Sequence, residues 1–540
     1  MRMSKIVSSY LKKNTWLVLL SVLIVACDVG LTLLPPFMLK YIVDDIIQAG
    51  KTEELERWAV FYTLAYIALG IFEFLKSVIL IKVSQGICKE LRIGLLNRVR
   101  IMDYECLSSY DVGTMESLFN NDVNTINTLI SNGVISMMID LFKMLGVFVS
   151  VFFFSTNIGY LLLCIVPFIA AFIVFVRHRM FKAQLKTKEM EANVNQQVLE
   201  NIDNIESIQT YVSYDYINGR YEETIKNHFD AQNVSMFYDS LFSPVMQMSR
   251  YTLIAVILII SVQDPTVFGV SIGAFLSLID LISDLFSPME NIGMELQTLQ
   301  TSAASIHRIN DFIKKRPRDI DPKLKVDALP GNNSLSFSHV NYSYDGKATV
   351  IKDFSLNIGP TEKITIKGES GVGKSTLFKL GYGLLVPRSG NVTINGSEAN
   401  RLSEESRRRL FGIVYQDPFF SMGTIREEIT LGETDFTDEK IFAALKAVGL
   451  SRIKNLDILL KESDYSSGEL ALFNIARIIL RNPPIIFLDE MNAKIDPETA
   501  LRIIALLNDY AKDHMILSIT HYGTQLKNSK ELTLTLSEKN

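Results

Sequence analysis

The chain has 540 residues, 48% hydrophobic and 21% charged, and a formal net charge of −5. That length allows more than one domain at about 100–200 residues each, and the mildly acidic balance lacks the basic stripe of a nucleic-acid binder, so nucleic acid is not a leading partner. The four cysteines, Cys27, Cys88, Cys106 and Cys164, show neither a C-x-x-C pair nor metal spacing and read as packing residues in reduced or membrane surroundings.

In chain order, residues 1–14 come first. Ile6, Val7, Tyr10 and Leu11 form an apolar strip among Lys5, Lys12 and Lys13, the pattern of a helix lying on the cytoplasmic membrane surface. A frayed terminus is the alternative reading. Six segments then follow at about 15–41, 58–83, 134–154, 158–178, 240–262 and 268–292. Each is near the roughly 20 apolar residues that cross a bilayer core of about 30 Å. Ile24 to Cys27 behind a basic start resembles a lipoprotein cleavage site, but the apolar run continues past Asp28 to Leu34, and cleavage would remove a span.

Lysines and arginines fix the orientation. Arg2, Lys5, Lys12 and Lys13 precede the first span, Lys89, Arg92, Arg98 and Arg100 follow the second, and Arg177, Arg179 and Lys182 follow the fourth. The positive-inside rule puts all of them in the cytoplasm, together with everything after the sixth span. The stretches between spans two and three and between four and five are too long for ordinary connections. They are expected to be helices that continue into the cytoplasm, with tips near Ser108–Gly113 and Thr210–Arg220 that meet the soluble domain. The domains expected are therefore an interfacial helix (1–14), a six-span domain (15–315), a linker (316–332) and a soluble domain (333–540).

Ionisable residues inside spans are costly and usually face a cavity or a partner. Asp280 and Asp284, one turn apart, and Asp28 point to an acidic path, whereas Lys143 with Asp140 and Glu73 with Lys76 read as neutralising pairs within one helix, with Arg250 left as a further structural charge.

The soluble domain carries the chemistry. Gly368-Glu369-Ser370-Gly371-Val372-Gly373-Lys374-Ser375-Thr376 fits G-x-x-x-x-G-K-[ST]. Its glycines let backbone N–H groups surround the β- and γ-phosphates, Lys374 adds a charge and Ser375 a hydroxyl for Mg²⁺. The strand-like run Lys363 to Lys367 precedes it and a helical run follows, as the motif requires. The apolar run Pro484 to Leu488 delivers Asp489 towards Mg²⁺, and Glu490 follows, placed to polarise the attacking water. His521, after the apolar run Met515 to Thr520, is expected to contact the γ-phosphate.

These motifs and their order resemble the ATP-binding cassette family, specifically its exporter-type half-transporters, over nearly the whole chain. The resemblance implies an all-α six-helix transmembrane domain followed by an α/β P-loop cassette with an antiparallel β subdomain and a helical subdomain. It also implies ATP and Mg²⁺ as ligands, ATP hydrolysis, and export of a peptide, lipid or drug-like substrate. Tyr344 in VNYSYD resembles the aromatic that stacks on adenine, and Gln416 in VYQDPF the glutamine that senses Mg²⁺ and water. A non-transporting ATP-gated receptor or sensor is the alternative from another class.

Departures from the family pattern are confined to a few places. The signature LSGGQ is replaced by Tyr465-Ser466-Ser467-Gly468-Glu469, in register because Ser466 precedes Asp489 by 23 positions. In the family this loop offers backbone amides to ATP held by the other subunit. A Glu469 carboxylate at ~6 Å from a phosphate charge, at an effective dielectric of ~20, would repel it by roughly 3 kcal/mol before screening. A weak contributed site is expected, and with it a heterodimer with a second half-transporter in preference to a homodimer. The segment between Gln416 and the signature looks short, and Ala493-Lys494-Ile495-Asp496 departs from the usual D-loop. The setting implied is the cell inner membrane, with both the N-terminus and the cassette cytoplasmic.

Overall fold

The computed structural model describes residues 3–211, 214–263, 265–328, 332–344, 346, 348–416, 419–489, 497–510, 512–520 and 526–535. They divide into two compact units, one made of Met1–Arg100 with Tyr110–Lys315 and the other of Ile101–Ser109 with Arg316–Asn540.

The first unit is helical. Helix Met3–Lys13 is followed by six helices long and apolar enough to cross a membrane: Thr15–Ile47, Glu53–Ile101, Val112–Phe154, Thr156–Asp203, Tyr214–Gln263 and Ile272–Ile292. Three of them run for 48 to 50 residues without a break. At 1.5 Å per residue a 50-residue helix is about 75 Å long, more than twice the hydrocarbon thickness, so the polar halves continue outside it. The sixth span starts at Ile272 rather than near 268, because Ser271 takes an N-cap geometry and accepts the Ala274 N–H at 3.1 Å. Asp44 accepts the Gly273 N–H at 2.8 Å and bonds the Ser271 hydroxyl, while the Ser155 hydroxyl donates to the Phe268 carbonyl at 2.8 Å. These bonds gather the three links between spans at one end of the bundle, as an alternating up-and-down path requires.

The N-terminal helix runs from Met3 to Lys13. It buries Ile6 against the long second-span helix, where Gly94 leaves room for the Ile6 side chain and Gly86 for the Tyr10 ring.

The second unit has two sheets. Strands β1 (Leu335–Tyr342), β2 (Ile351–Ile358), β4 (Ser389–Ile394) and β5 (Ser397–Glu398) form an antiparallel sheet in the order β2-β1-β4-β5. Strands β3 (Lys363–Lys367), β6 (Phe411–Val414), β7 (Ile485–Asp489), β8 (Met515–Ile519) and β9 (Lys530–Thr533) form the other, in the order β6-β7-β8-β3-β9, with every pair parallel. β7 and β8 are near-continuous apolar runs because a parallel sheet is covered on both faces. Phe487 anchors one face, edge-on to Phe378, Tyr382 and Phe411 at centroid distances of 5.1, 5.4 and 5.9 Å. It lies two residues before Asp489 and packs on the helix that follows the glycine-rich loop, so one buried ring sets the spacing between the two motifs.

A helical part completes this unit. Helix Ile425–Thr430 begins with a capping box of Thr424 and Glu427, and helix Ser467–Arg481 with one of Ser466 and Glu469. The second helix ends at Asn482 in the left-handed region (φ 50°), with Pro483 next in sequence. Segment 101–109, which the sequence places between spans two and three, folds with this unit. Met102 bridges Pro317 and the Arg318 N–H donates to the Ile101 carbonyl at 2.8 Å. The stretch after Arg316 is bound as well, with Leu324, Val326 and Ala328 packed against the sheet core.

Candidate functional site

The loop between β3 and helix Lys374–Gly381 holds Gly368, Gly371 and Gly373 at φ of 152°, 83° and 103°. A Cβ at Gly368 would stand 2.6 Å from the Leu534 carbonyl oxygen, and one at Gly373 2.8 Å from Val350 Cγ1. Both conformation and space require glycine there. Lys374 is buried, and its Nζ donates to the carbonyls of Gly368 at 2.8 Å and Glu369 at 3.1 Å. The ammonium is therefore drawn across the loop, where a phosphate would meet it.

Ser375 Oγ lies 3.4 Å from Asp489 Oδ1 at the end of β7. A hydroxyl and a carboxylate at the mouth of a parallel sheet form the hard-oxygen donor set that suits Mg²⁺, and the helix N-terminus beside them suits phosphate. Tyr344 joins the group, its hydroxyl 3.0 Å from Thr376 Oγ1 and its ring 42% exposed and open to a stacking partner. Residues 32 positions apart, Tyr344 and Thr376, and 114 apart, Ser375 and Asp489, are thus brought together. Gln416 is exposed two residues beyond β6, the strand paired with β7. Glu490, Asp496 and His521 lie outside the described residues.

The divergent signature has its own geometry. Ser466 Oγ accepts the Glu469 N–H at 3.2 Å, and Glu469 Oε2 accepts from the Ser466 N–H at 3.0 Å and from its hydroxyl at 3.2 Å. The other carboxylate oxygen pairs with Arg452 at 2.6 Å, and the Arg452 guanidinium also lies 5.4 Å from the Tyr465 ring centroid. The Glu469 side chain turns back onto its own helix start, because a Glu three residues after a Ser N-cap completes a capping box.

Two family profiles match the chain, "ABC transporter transmembrane region" over residues 18–289 and "ABC transporter" over 351–493. The chain belongs to the ABC transporter family. It is an exporter-type half-transporter, with membrane and nucleotide-binding regions fused in one multi-pass chain. Among its relatives, the ABC transporter ATP-binding protein named exp8 of Streptococcus pneumoniae is 25% identical over 524 residues, covering 95% of this chain and 89% of that one. The ATP-dependent lipid A-core flippase of Desulfotalea psychrophila is 23% identical over 505 residues, covering 92% and 88%. In fold the chain is similar to a bacterial Atm1-family ABC exporter solved with ATP bound, with a TM-score of 0.78 and 20% identity over 97% of this chain and 94% of that one.

Within this half-transporter, sequence reasoning missed several residues that hold the site's surroundings. Glu428 is 1% exposed and accepts the N–H groups of Ser421 and Gly423 at 2.7 and 2.9 Å and the Ser421 hydroxyl at 2.6 Å. Arg477, from the signature helix, pairs with Glu428 at 3.0 Å and donates to its backbone carbonyl at 2.7 Å, which ties the segment after Gln416 to that helix. Burial pushes the Arg477 guanidinium below its ordinary range, and the Glu428 charge partly restores it. Arg407 likewise donates to the carbonyls of Tyr382, Gly383, Ala399, Asn400 and Leu402, and burial brings it down to about 10, still a cation at neutral pH. Arg477 alone carries a sequence signal, a charge in the apolar run Leu472 to Leu480, whereas Glu428 and Arg407 sit in charged runs that do not mark them.

In the membrane unit the expected acidic path is revised. Asp28 is 1% exposed and is met by Lys76 at 2.7 Å and Lys143 at 3.8 Å, so these lysines bridge between helices to Asp28. A cavity of about 450 Å³ opens beside them, lined by Glu73, Lys76, Asp140, Lys143, Asp284 and Asn291 among others. Asp280 is not part of its lining. Asp140 is 7% exposed, and its Oδ2 is buried without a hydrogen-bond partner among the described residues.

Proposed function

We propose that this chain is one subunit of an ATP-driven exporter, pairing with a second half-transporter and using ATP binding and hydrolysis to alternate the access of a membrane pathway. The observation that carries this reading is the 3.4 Å approach of Ser375 to Asp489 beside the buried Lys374, in a chain that also contributes six spans. In this reading Ser375 and Asp489 hold Mg²⁺ with Gln416, the loop Gly368 to Thr376 binds the phosphates, and Tyr344 takes the adenine. Held by these residues, Mg²⁺ would supply positive charge that offsets the charge developing on the phosphates. Glu490 orients and polarises the water, and His521 contacts the γ-phosphate.

The loop Ser466-Ser467-Gly468-Glu469 offers its backbone to the other subunit's nucleotide, with the Glu469 carboxylate held on its own helix start and on Arg452. The cap and the Arg452 pairing lessen the repulsion expected of Glu469, and Ser467 in place of glycine together with Glu469 supports a different second half over a second copy. An inner-membrane setting with a cytoplasmic cassette follows from the positive-inside pattern.

The cavity beside Asp28 sharpens the substrate class. Its lining carboxylates Glu73, Asp140 and Asp284, with Asp28 behind them, outnumber Lys76 and Lys143, so the guest it favours carries positive charge on an apolar or lipid-like body. The experiment is ATPase stimulation in proteoliposomes by cationic and anionic amphiphiles of matched hydrophobicity. Preference for cations, erased by Asp140→Asn with Asp284→Asn, is expected, and equal stimulation by both classes would end the assignment.

A further inference from the structure

Arg388 joins three pieces of the second unit that the family pattern treats separately. Its Nη2 pairs with Glu105, in the short helix Tyr104–Ser108, and donates to the Tyr344 carbonyl at 3.3 Å. Its Nε donates to the Ser343 carbonyl at 3.1 Å, and its backbone N–H to the Asn341 carbonyl at 2.8 Å. One side chain thus holds the backbone immediately around Tyr344 and, with the same guanidinium, grips the segment that follows the second-span helix. A second grip lies close by, where Lys379, on the helix after the glycine-rich loop, stands 5.4 Å from the Tyr104 ring centroid.

The local structure makes this tie consequential. Between the ends of β1 at Tyr342 and the start of β2 at Ile351, the described residues are in neither helix nor strand, so the Tyr344 backbone depends on side-chain bonds for its place. Arginine suits the task, because its planar fork can serve a carboxylate and two carbonyls at once. Without Glu105 the guanidinium loses its anionic partner among the described residues, and the carbonyl bonds must then hold a long, solvent-seeking side chain.

We propose that Arg388 is a positioning residue for the adenine contact at Tyr344, and that docking of helix Tyr104–Ser108 through Glu105 sets the nucleotide affinity of this site. The inference rests on the reading of Tyr344 as the adenine partner. By linkage the effect runs both ways: nucleotide on Tyr344 strengthens the docking of 101–109 by the factor by which docking strengthens nucleotide binding. Glu105 follows the end of the second-span helix at Ile101 by four residues and lies in its own short helix.

The test is equilibrium binding of a fluorescent N-methylanthraniloyl ATP with Mg²⁺ to the full chain in nanodiscs, with competition by tripolyphosphate, which has no base. Arg388→Ala is expected to raise the ATP Kd about tenfold and Glu105→Gln severalfold, as fits the loss of one or two charge-assisted bonds. Arg388→Lys and Glu105→Asp should fall between these and wild type, the double variant should be no worse than Arg388→Ala, and tripolyphosphate affinity should change less than about twofold. Unchanged ATP affinity in the Arg388 and Glu105 variants, or ATP and tripolyphosphate weakened alike, would overturn the proposal. Tyr344→Ala separates the two levels: if it weakens ATP while the Arg388 variants do not, this proposal alone fails, and if it leaves ATP affinity intact, the adenine reading falls and the proposal with it.

Discussion

Glu469 lies 2.6 Å from the Arg452 guanidinium, so the anionic departure in the signature loop is answered from within its own domain. Both side chains are partly exposed, which limits the pair's contribution to stability to about 0.2–1 kcal/mol. Its consequence is electrostatic. Arg452→Ala should leave the melting temperature nearly unchanged but lower ATP turnover of the assembled transporter severalfold, because the carboxylate then faces the other subunit's nucleotide. Glu469→Gln should have little effect alone and should rescue Arg452→Ala. A double-mutant cycle on ATPase rates checks this, and additive losses would contradict it.

A second prediction concerns the buried pair of Glu428 and Arg477. Breaking a buried pair leaves an uncompensated charge and costs about 3–5 kcal/mol. Arg477→Met should therefore destabilise the cassette by that order and open the segment around Ser421 and Gly423, read as faster hydrogen exchange at 419–430. Glu428→Gln, which keeps an acceptor for the same N–H groups, should cost less. Denaturant unfolding followed by exchange mass spectrometry would measure both.

In the membrane unit, Asp28 is held by Lys76 and Lys143. Lys76→Met should reduce the folded yield more than the double change Asp28→Asn with Lys76→Met, since the single variant leaves a buried carboxylate to the more distant Lys143 and the double variant removes it. Size-exclusion profiles and thermal stability in detergent give the readout, and a double variant worse than the single one would contradict the pairing.

Much of this architecture is legible in the sequence because bilayer thickness and sheet burial act directly on composition. Six apolar runs of sufficient length appear as six spans, and the runs before Asp489 and after Asp513 appear as the buried strands β7 and β8. The glycine-rich loop is equally readable, since its φ values admit few other residues. Side-chain partners were not readable. Lys76 and Lys143 each have an acid three positions away in sequence, yet both reach Asp28 on another helix, because helix rotation is set by packing rather than by spacing. Glu105 and Arg388 are 283 positions apart, and neither residue type nor local pattern marks the link. The Ser466 and Glu469 capping box is written in the S-x-x-E spacing, whereas the Arg452 partner of Glu469 has no local signal.

In the proposed cycle this chain's own site hydrolyses ATP to drive movement across the membrane. The most direct measurement compares wild type and Glu490→Gln, each assembled with its second half in proteoliposomes, for ATP turnover and for uptake of a cationic amphiphile. The account predicts ATP-dependent uptake in wild type, and in Glu490→Gln retained nucleotide affinity with turnover and uptake lost together. ATP binding without turnover or uptake in either protein would contradict it and identify a nucleotide-gated receptor instead.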